Sequence, residues 1–203
     1  MAFIEIIPKR IILASASPRR RELFKLIFET FETVESNVDE NIAPATKPHE
    51  LVIELARRKV AKVAERVGEG IIIGADSVVV LDDEILGKPD DQEHARRMLI
   101  QLSDRYHKVL TGFSICQMPE ERYVEDFEET LVKFRKLDEW EIQRYLRVGH
   151  PLDKAGAYGI QNEAALFVER IEGCYYNVMG LPVARLFKTL CPLLNNLCGD
   201  KND

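Results

Sequence analysis

The amino-acid sequence predicts an α/β fold built on a mixed β-sheet with flanking helices, and three observations lead there. Strand-like and helix-like segments alternate in the order βα, αβ, αββα, βα. The segment Ile71 to Leu81 is apolar on both alternating faces, as a strand covered on both sides requires. Two other segments, Glu50 to Val67 and Asp91 to Leu102, instead repeat apolar residues at helical spacing. No internal repeat and no Gly/Ser- or Pro-rich linker divides the 203 residues, so one domain over residues 1–203 is expected.

Each element has its own local warrant. Arg10 to Ala14 is a short β run, and Ser17-Pro18 then opens a helix whose stripe is Leu23, Phe24, Leu26 and Ile27. Serine at the N-cap followed by proline at the first helical position is a specific start signal. Pro44 to Pro48 reads as a loop, and the helix Glu50 to Val67 ends at Gly68. Asp82-Asp83 forms a turn after the long strand, Gly87-Lys88-Pro89 a loop, and Asp91 to Leu102 a helix carrying Ala95, Met98, Leu99 and Leu102. Two strands follow, near Lys108 to Gln117 and Tyr123 to Phe134, joined at Met118-Pro119-Glu120. Asp138 to Val148 is a helix with Gly149 after its end. The stretch Asp153 to Gln161 is a loop punctuated by glycines, Leu166 to Ile171 a strand, and Leu181 to Leu194 a closing helix.

Composition excludes several classes of protein. An apolar fraction of 46% with 31% charged residues belongs to a folded chain, not a disordered or low-complexity one. Lys plus Arg number 28 and Asp plus Glu 34, a net charge of −6, so no global field holds a nucleic-acid polymer. No apolar run approaches the roughly 18 residues of a membrane span. The opening MAFIEIIPKRIILASAS is broken by Glu5, Pro8, Lys9 and Arg10, so it reads as a strand and not as a secretory leader, and a cytoplasmic location is expected. Cys116, Cys174, Cys191 and Cys198 show no C-x-x-C pair and no zinc-like spacing to histidine, which leaves separate reduced thiols.

Polar residues interrupt this framework in a few places. Ser15-Ala16-Ser17-Pro18-Arg19-Arg20-Arg21 lies at a strand-to-helix junction, where small residues admit a ligand and unpaired N–H groups face an anion. Guanidiniums in a first helical turn oppose the helix dipole, a cost that makes sense if phosphate oxygens sit there. A solvated basic turn behind a capping serine is the plainer alternative. Asp76 shares one strand face with Ile72, Gly74, Val78 and Val80, and a carboxylate in an apolar row needs a cation, a metal or hydrogen-bond donors. Gly74 and Ala75 leave room beside it for a ligand, and on this reading Asp76→Asn keeps its fold. A structural salt bridge is the alternative. Lys59 projects from the seam of Val52, Leu55 and Val63, although a lysine can snorkel from such a position. Asp39-Glu40 offers hard oxygens suited to Mg²⁺ or Mn²⁺. Lys88 is held between two backbone-restricting residues.

Together these residues resemble a known family. The runs LASASPRRRELF, LARRKVAKV, GADSVVVLDDEILGKP, DKAGAYGIQ and NVMGLP, with the pair Asp39-Glu40, closely resemble the Maf family of nucleoside triphosphate pyrophosphatases over about Ile11 to Leu190. The resemblance implies an elongated mixed sheet with two lobes around a cleft, similar to the inosine-triphosphatase superfamily. It also implies a divalent metal, Mg²⁺ or Mn²⁺, and a homodimer. By motif, Arg19 corresponds to a specificity-linked arginine, Arg20 to its phosphate-facing neighbour, and Asp76 to the catalytic proton acceptor. Ser15 stands in the same serine-rich element as a substrate contact. Ser77 and Gln161 match positions linked to substrate choice, while Glu40, Lys59 and Lys88 match further polar residues of the cleft. Glu40 and Asp76 are the expected metal ligands. Ala16 and Asn162 stand where the motifs often carry glycine.

The expected reaction is hydrolysis of nucleoside triphosphates to monophosphate and pyrophosphate, a cleaning of the nucleotide pool. Gln161 offers a donor and an acceptor side by side, matching the carbonyl and N–H of uracil or thymine. The DKAGAYGIQ wording likewise resembles the dTTP/UTP-hydrolysing branch. Flipped, the same amide fits cytosine, so CTP and modified pyrimidine nucleotides stay open as substrates. The alternative is a nucleotide-binding regulator of septum formation in which binding, not turnover, matters.

Overall fold

The computed structural model describes residues 9–39 and 47–194. Among these residues it contains seven strands and six α-helices, a mixed α/β fold as the sequence predicts. In chain order they are β1 (Ile11–Leu13), α1 (Pro18–Phe24), β2 (Glu32–Thr33), α2 (Pro48–Val67), β3 (Gly70–Leu81), β4 (Glu84–Leu86), α3 (Gln92–Leu102), β5 (Tyr106–Met118), β6 (Arg122–Phe134), α4 (Glu139–Val148), β7 (Val168–Glu172), α5 (Tyr175–Met179) and α6 (Val183–Leu190). The strand order is β2-β1-β3-β5-β6-β7, with β4 paired to β3. β1 lies parallel to both β2 and β3, whereas the β3–β4 and β6–β7 pairs are antiparallel. No helix among the described residues is long and apolar enough to cross a membrane.

The chain forms two compact units. The first comprises Met1–Asp76, Gly112–Phe127 and Gly180–Asp203. Its core packs Ile12, Ala14 and Ile72 from the strands against Val60, Val63 and Ala64 of α2. Helix α2 turns Val52, Leu55, Ala56, Val60 and Val63 inward, and each fully buried valine or leucine contributes up to about 1.5–3 kcal/mol. Gly68 ends α2 in the left-handed conformation that glycine adopts freely.

The second unit comprises Ser77–Thr111 and Glu128–Met179. Met98, Leu99 and Leu102 of α3 pack there with Ile142 and Tyr145 of α4 and with Phe134 and Phe167. Asp82 and Asp83 both adopt positive φ, the conformation of a tight hairpin turn, and bring Glu84 opposite Leu81. Asp91 caps α3, its carboxylate accepting from the His94 N–H at 2.6 Å. At the start of α4, Glu141 reaches back to accept from the Asp138 N–H at 2.9 Å.

Three boundaries differ from expectation. α1 stops at Phe24 instead of carrying the stripe through Ile27, so Leu26 is left 47% exposed while looser turns still bury Ile27. Leu166 belongs to a 3₁₀ segment, Asn162–Phe167, and β7 begins only at Val168. The closing helix is divided: α6 ends at Leu190 and Cys191–Leu194 is 3₁₀, because Pro192 lacks the N–H that would continue it.

Candidate active site

Within the first unit, the parallel register of β1 and β3 places the polar residues. Leu13 faces Ile73, and the Ala14 N–H donates to the Ile73 carbonyl at 2.7 Å. The chain therefore leaves β1 at Ser15 close to the level where β3 reaches Ala75 and Asp76. Carboxyl ends of parallel strands are where α/β proteins place ligands. Ser15 is buried, and its Oγ accepts from the Ser17 N–H at 3.1 Å. Ser17 caps α1, with its Oγ accepting from the Arg20 N–H at 3.4 Å, and Pro18 stands at the first helical position. Arg19 and Arg20 are half-buried, and the Arg20 Nε donates to the Gly180 carbonyl at 2.8 Å. That bond ties the basic turn to the NVMGLP run.

Asp76 and Lys59 form a buried ion pair. Lys59 Nζ donates to Asp76 Oδ1 at 2.5 Å, and each residue is 8% exposed. Lys59 therefore does not snorkel to solvent. Two glycines set the approach of its helix. A Cβ on Gly74 would stand 2.8 Å from Val60 Cγ2 and 3.1 Å from the Ala56 carbonyl oxygen; one on Gly112 would stand 2.6 Å from the Val52 carbonyl carbon. The bare backbones of β3 and β5 thus let α2 settle close enough for Lys59 to meet Asp76. This corrects the sequence reading of Gly74 alone: the space over Gly74 is filled by α2 and is not room for a ligand.

The remaining residues are placed as follows. Asp39 is exposed, and Glu40 lies outside the described residues. In the second unit, Lys88 is exposed in the loop after β4, whose Gly87 carbonyl accepts from the Gly156 N–H at 3.0 Å. Gln161 is half-buried with ordinary extended backbone, immediately before the 3₁₀ segment. Ser77 Oγ lies 2.8 Å from Thr111 Oγ1, which donates to the Asn177 carbonyl at 3.0 Å. Asn177 Nδ2 donates to the Val109 carbonyl at 2.9 Å and to Thr130 Oγ1 at 3.0 Å. Sequence reasoning missed Thr111 and the role of Asn177, although NVMGLP stood out as a motif. Among the described residues no group of three or more His, Cys, Asp or Glu side chains could hold a metal ion.

The fold and these clusters define a mixed α/β protein with a buried lysine–carboxylate pair between α2 and β3 and a serine–arginine turn after the carboxyl end of β1. A family model described as Maf-like protein matches residues 10–193, and the chain belongs to the Maf family. It is 48% identical over 181 residues to a dTTP/UTP pyrophosphatase of Carboxydothermus hydrogenoformans, covering 89% of this chain and 97% of the relative. It is 50% identical over 179 residues to a dTTP/UTP pyrophosphatase of Dictyoglomus turgidum, covering 88% and 93%. Among solved structures, the Staphylococcus aureus Ham1 protein matches with a TM-score of 0.44 at 17% identity, over 62% of this chain and 72% of that one.

Proposed function

We propose that the chain is a pyrophosphatase of pyrimidine nucleoside triphosphates, acting on UTP and dTTP to release the monophosphate and pyrophosphate. The observation that carries the reading is the buried Lys59–Asp76 pair, a paired charge in the middle of β3 where burial alone would favour apolar residues. The names of the relatives supply the substrate class.

The proposed roles follow from charge. Asp76 orients and deprotonates the attacking water, and Lys59, donating to its Oδ1, fixes the direction of its carboxylate. Arg19, Arg20 and Lys88 meet the oxygens of the phosphates and the departing pyrophosphate, with Ser15 donating to them. Ser77 and Gln161 contact the nucleoside. Hard carboxylate oxygens suit Mg²⁺ or Mn²⁺, which is commonly held by one or two carboxylates plus substrate phosphates. A donor set centred on Asp76 fits that pattern, and Glu40 is its second proposed member. When bound, the metal supplies charge neutralisation at the phosphates. This reading places the chain with its substrates in the cytoplasm.

The test is pyrophosphate release across UTP, dTTP, CTP and 7-methyl-GTP with purified protein. UTP and dTTP exceed 7-methyl-GTP in kcat/KM on this reading, and activity disappears after exhaustive chelation and returns with Mg²⁺ or Mn²⁺. Preferential hydrolysis of 7-methyl-GTP overturns the substrate assignment.

A further inference from the structure

We infer that Lys154 is a positioning residue for base recognition: its stem holds the backbone at Gly159 and so sets where the Gln161 amide stands. This inference rests on the functional reading above, in which Gln161 contacts the nucleoside, and adds to it a lysine of the DKAGAYGIQ run that has no role there. Every residue involved belongs to the second unit.

The ammonium group is spent on the fold. Lys154 Nζ donates to the Gly149 carbonyl at 3.1 Å, to the His150 carbonyl, and to Asp153 Oδ1 at 2.5 Å. An ammonium has three N–H bonds to give, and each of these meets an acceptor. The side chain is 12% exposed. Gly149 closes α4, so the cation also faces the negative end of that helix. His150 takes a φ of 47°, a left-handed conformation that a side chain adopts only where neighbours hold it. Lys154 bonds the carbonyls on both sides of its Cα. The lysine is therefore an anchor, with no donor left over for a phosphate.

The anchored stem crosses Gly159. A Cβ on that glycine would stand 3.1 Å from both Cδ and Cε of Lys154, so only a bare backbone lets the stem lie this close. Gln161 Oε1 is 3.9 Å from the same point. The lysine stem and the glutamine amide thus converge on one side of Gly159. The Gly159 N–H donates to the Tyr145 hydroxyl at 3.4 Å, a long bond, which leaves the packed stem as the closer constraint.

The front of the same loop is fixed by other means. The Gly156 N–H donates to the Gly87 carbonyl at 3.0 Å, and a Cβ on Gly156 would stand 2.8 Å from Val79 Cγ2. That bond ties the loop to the neighbour of Lys88. Tyr158 is held through its hydroxyl, 2.7 Å from His107 Nε2. Losing Lys154 therefore releases Gly159 and Gln161 while the Lys88 loop and Tyr158 stay where they are. The deficit falls on binding of the base and not on the chemistry at the phosphates.

Steady-state kinetics with UTP and 7-methyl-GTP test this on the wild type, Lys154→Ala, Gln161→Ala and the double variant. In Lys154→Ala the KM for UTP rises about tenfold, the scale of one misplaced hydrogen bond. Its kcat stays within about twofold, the signature of lost uniform binding. The preference for UTP over 7-methyl-GTP falls with it, and Gln161→Ala does at least as much. In the double variant Lys154→Ala adds nothing, because a residue that acts through Gln161 is silent once that amide is gone. A general loosening of the fold would add its own loss. Should Lys154→Ala fail to fold, Lys154→Met serves instead: it keeps the bulk of the stem, loses the anchor, and gives the same pattern at several-fold. An unchanged KM, a fall in kcat in place of the rise in KM, or losses that add in the double variant overturn the inference and leave the enzyme assignment standing. Wild-type preference in Gln161→Ala overturns it too, by removing Gln161 from the base contact. A wild-type protein with no preference for UTP overturns the functional reading and this inference with it.

Discussion

Lys59 and Asp76 are each 8% exposed, and each offsets the other's charge in the interior. The sequence alone suggests that Asp76→Asn keeps its fold, because a lone buried carboxylate is expensive. The structure corrects that expectation. Asparagine in place of Asp76 removes the carboxylate to which the buried Lys59 ammonium donates, and breaking such a pair costs about 3–5 kcal/mol. Two losses are therefore expected from Asp76→Asn: at least about 10²-fold in kcat, the scale of general-base catalysis, and a clear fall in Tm. They separate in the double variant Lys59→Met/Asp76→Asn. Removing both charges recovers much of the Tm, since an apolar replacement of a buried pair is often neutral, while kcat stays low. Thermal melts beside pyrophosphate-release assays check both. If the double variant regains activity with its stability, Asp76 is a structural residue only.

Elements of this fold that are legible in the sequence are those with a terminal signal and several turns or repeats to sum over. The α2 helix, with its Gly68 cap, and β3, with its Asp-Asp turn, lie within two residues of their expected bounds. β2 has two residues, β4 three and α5 five, too short for periodicity to speak, and none is predicted. The site divides the same way. A lysine in an apolar helical seam and an aspartate in an apolar strand are anomalies a sequence displays. That the two meet depends on helix–strand packing, and the Thr111–Asn177 bond joins residues 66 apart. Glycine is the hardest to interpret, because it marks space without saying who fills it. At Gly112 the occupant is α2 backbone, with Ile53 N 2.7 Å from where a Cβ would stand. Gly112→Ala must displace α2, an overpacking cost of about 1–3 kcal/mol, and with it Lys59. Tm falls by about 2–4 °C per kcal/mol lost at this chain length, and kcat falls too. Gly68→Ala is the control: its φ of +69° strains an alanine, but nothing lies within 4 Å. It lowers Tm and leaves kcat alone, so equal kcat in both variants counts against the packing argument.

Acid stability is a property of the whole molecule, and one buried side chain governs its first stage. His107 lies in the second unit, its ring edge-on to Phe134 and Tyr158, and its Nε2 is 2.7 Å from the Tyr158 hydroxyl. Its Nδ1 is buried with no partner, so a second ring proton has nothing to bond. Burial pushes the His107 pKa from 6.5 down to about 3. Between those values the unfolded chain binds a proton that the folded chain refuses, so stability falls as pH falls, by about 1.4 kcal/mol per pH unit. The carboxyl groups of Glu32, Asp104, Glu139 and Glu141 are also held below their ordinary values, by hydrogen bonds from Arg10, Lys133, Arg96 and Arg135. Their stabilisation is complete above the unfolded carboxylate range and is lost only as pH drops through it, starting near 4.5. The window from pH 6.5 to 4.5 therefore belongs to His107, and urea unfolding across it loses about 2–3 kcal/mol. His107→Gln, which cannot titrate, is less stable at pH 7 because the Tyr158 hydroxyl loses its ring partner, yet its stability is nearly flat through the same window. A wild-type curve already flat there places His107 in contact with water, and a slope that survives in His107→Gln assigns the acid sensitivity to another group.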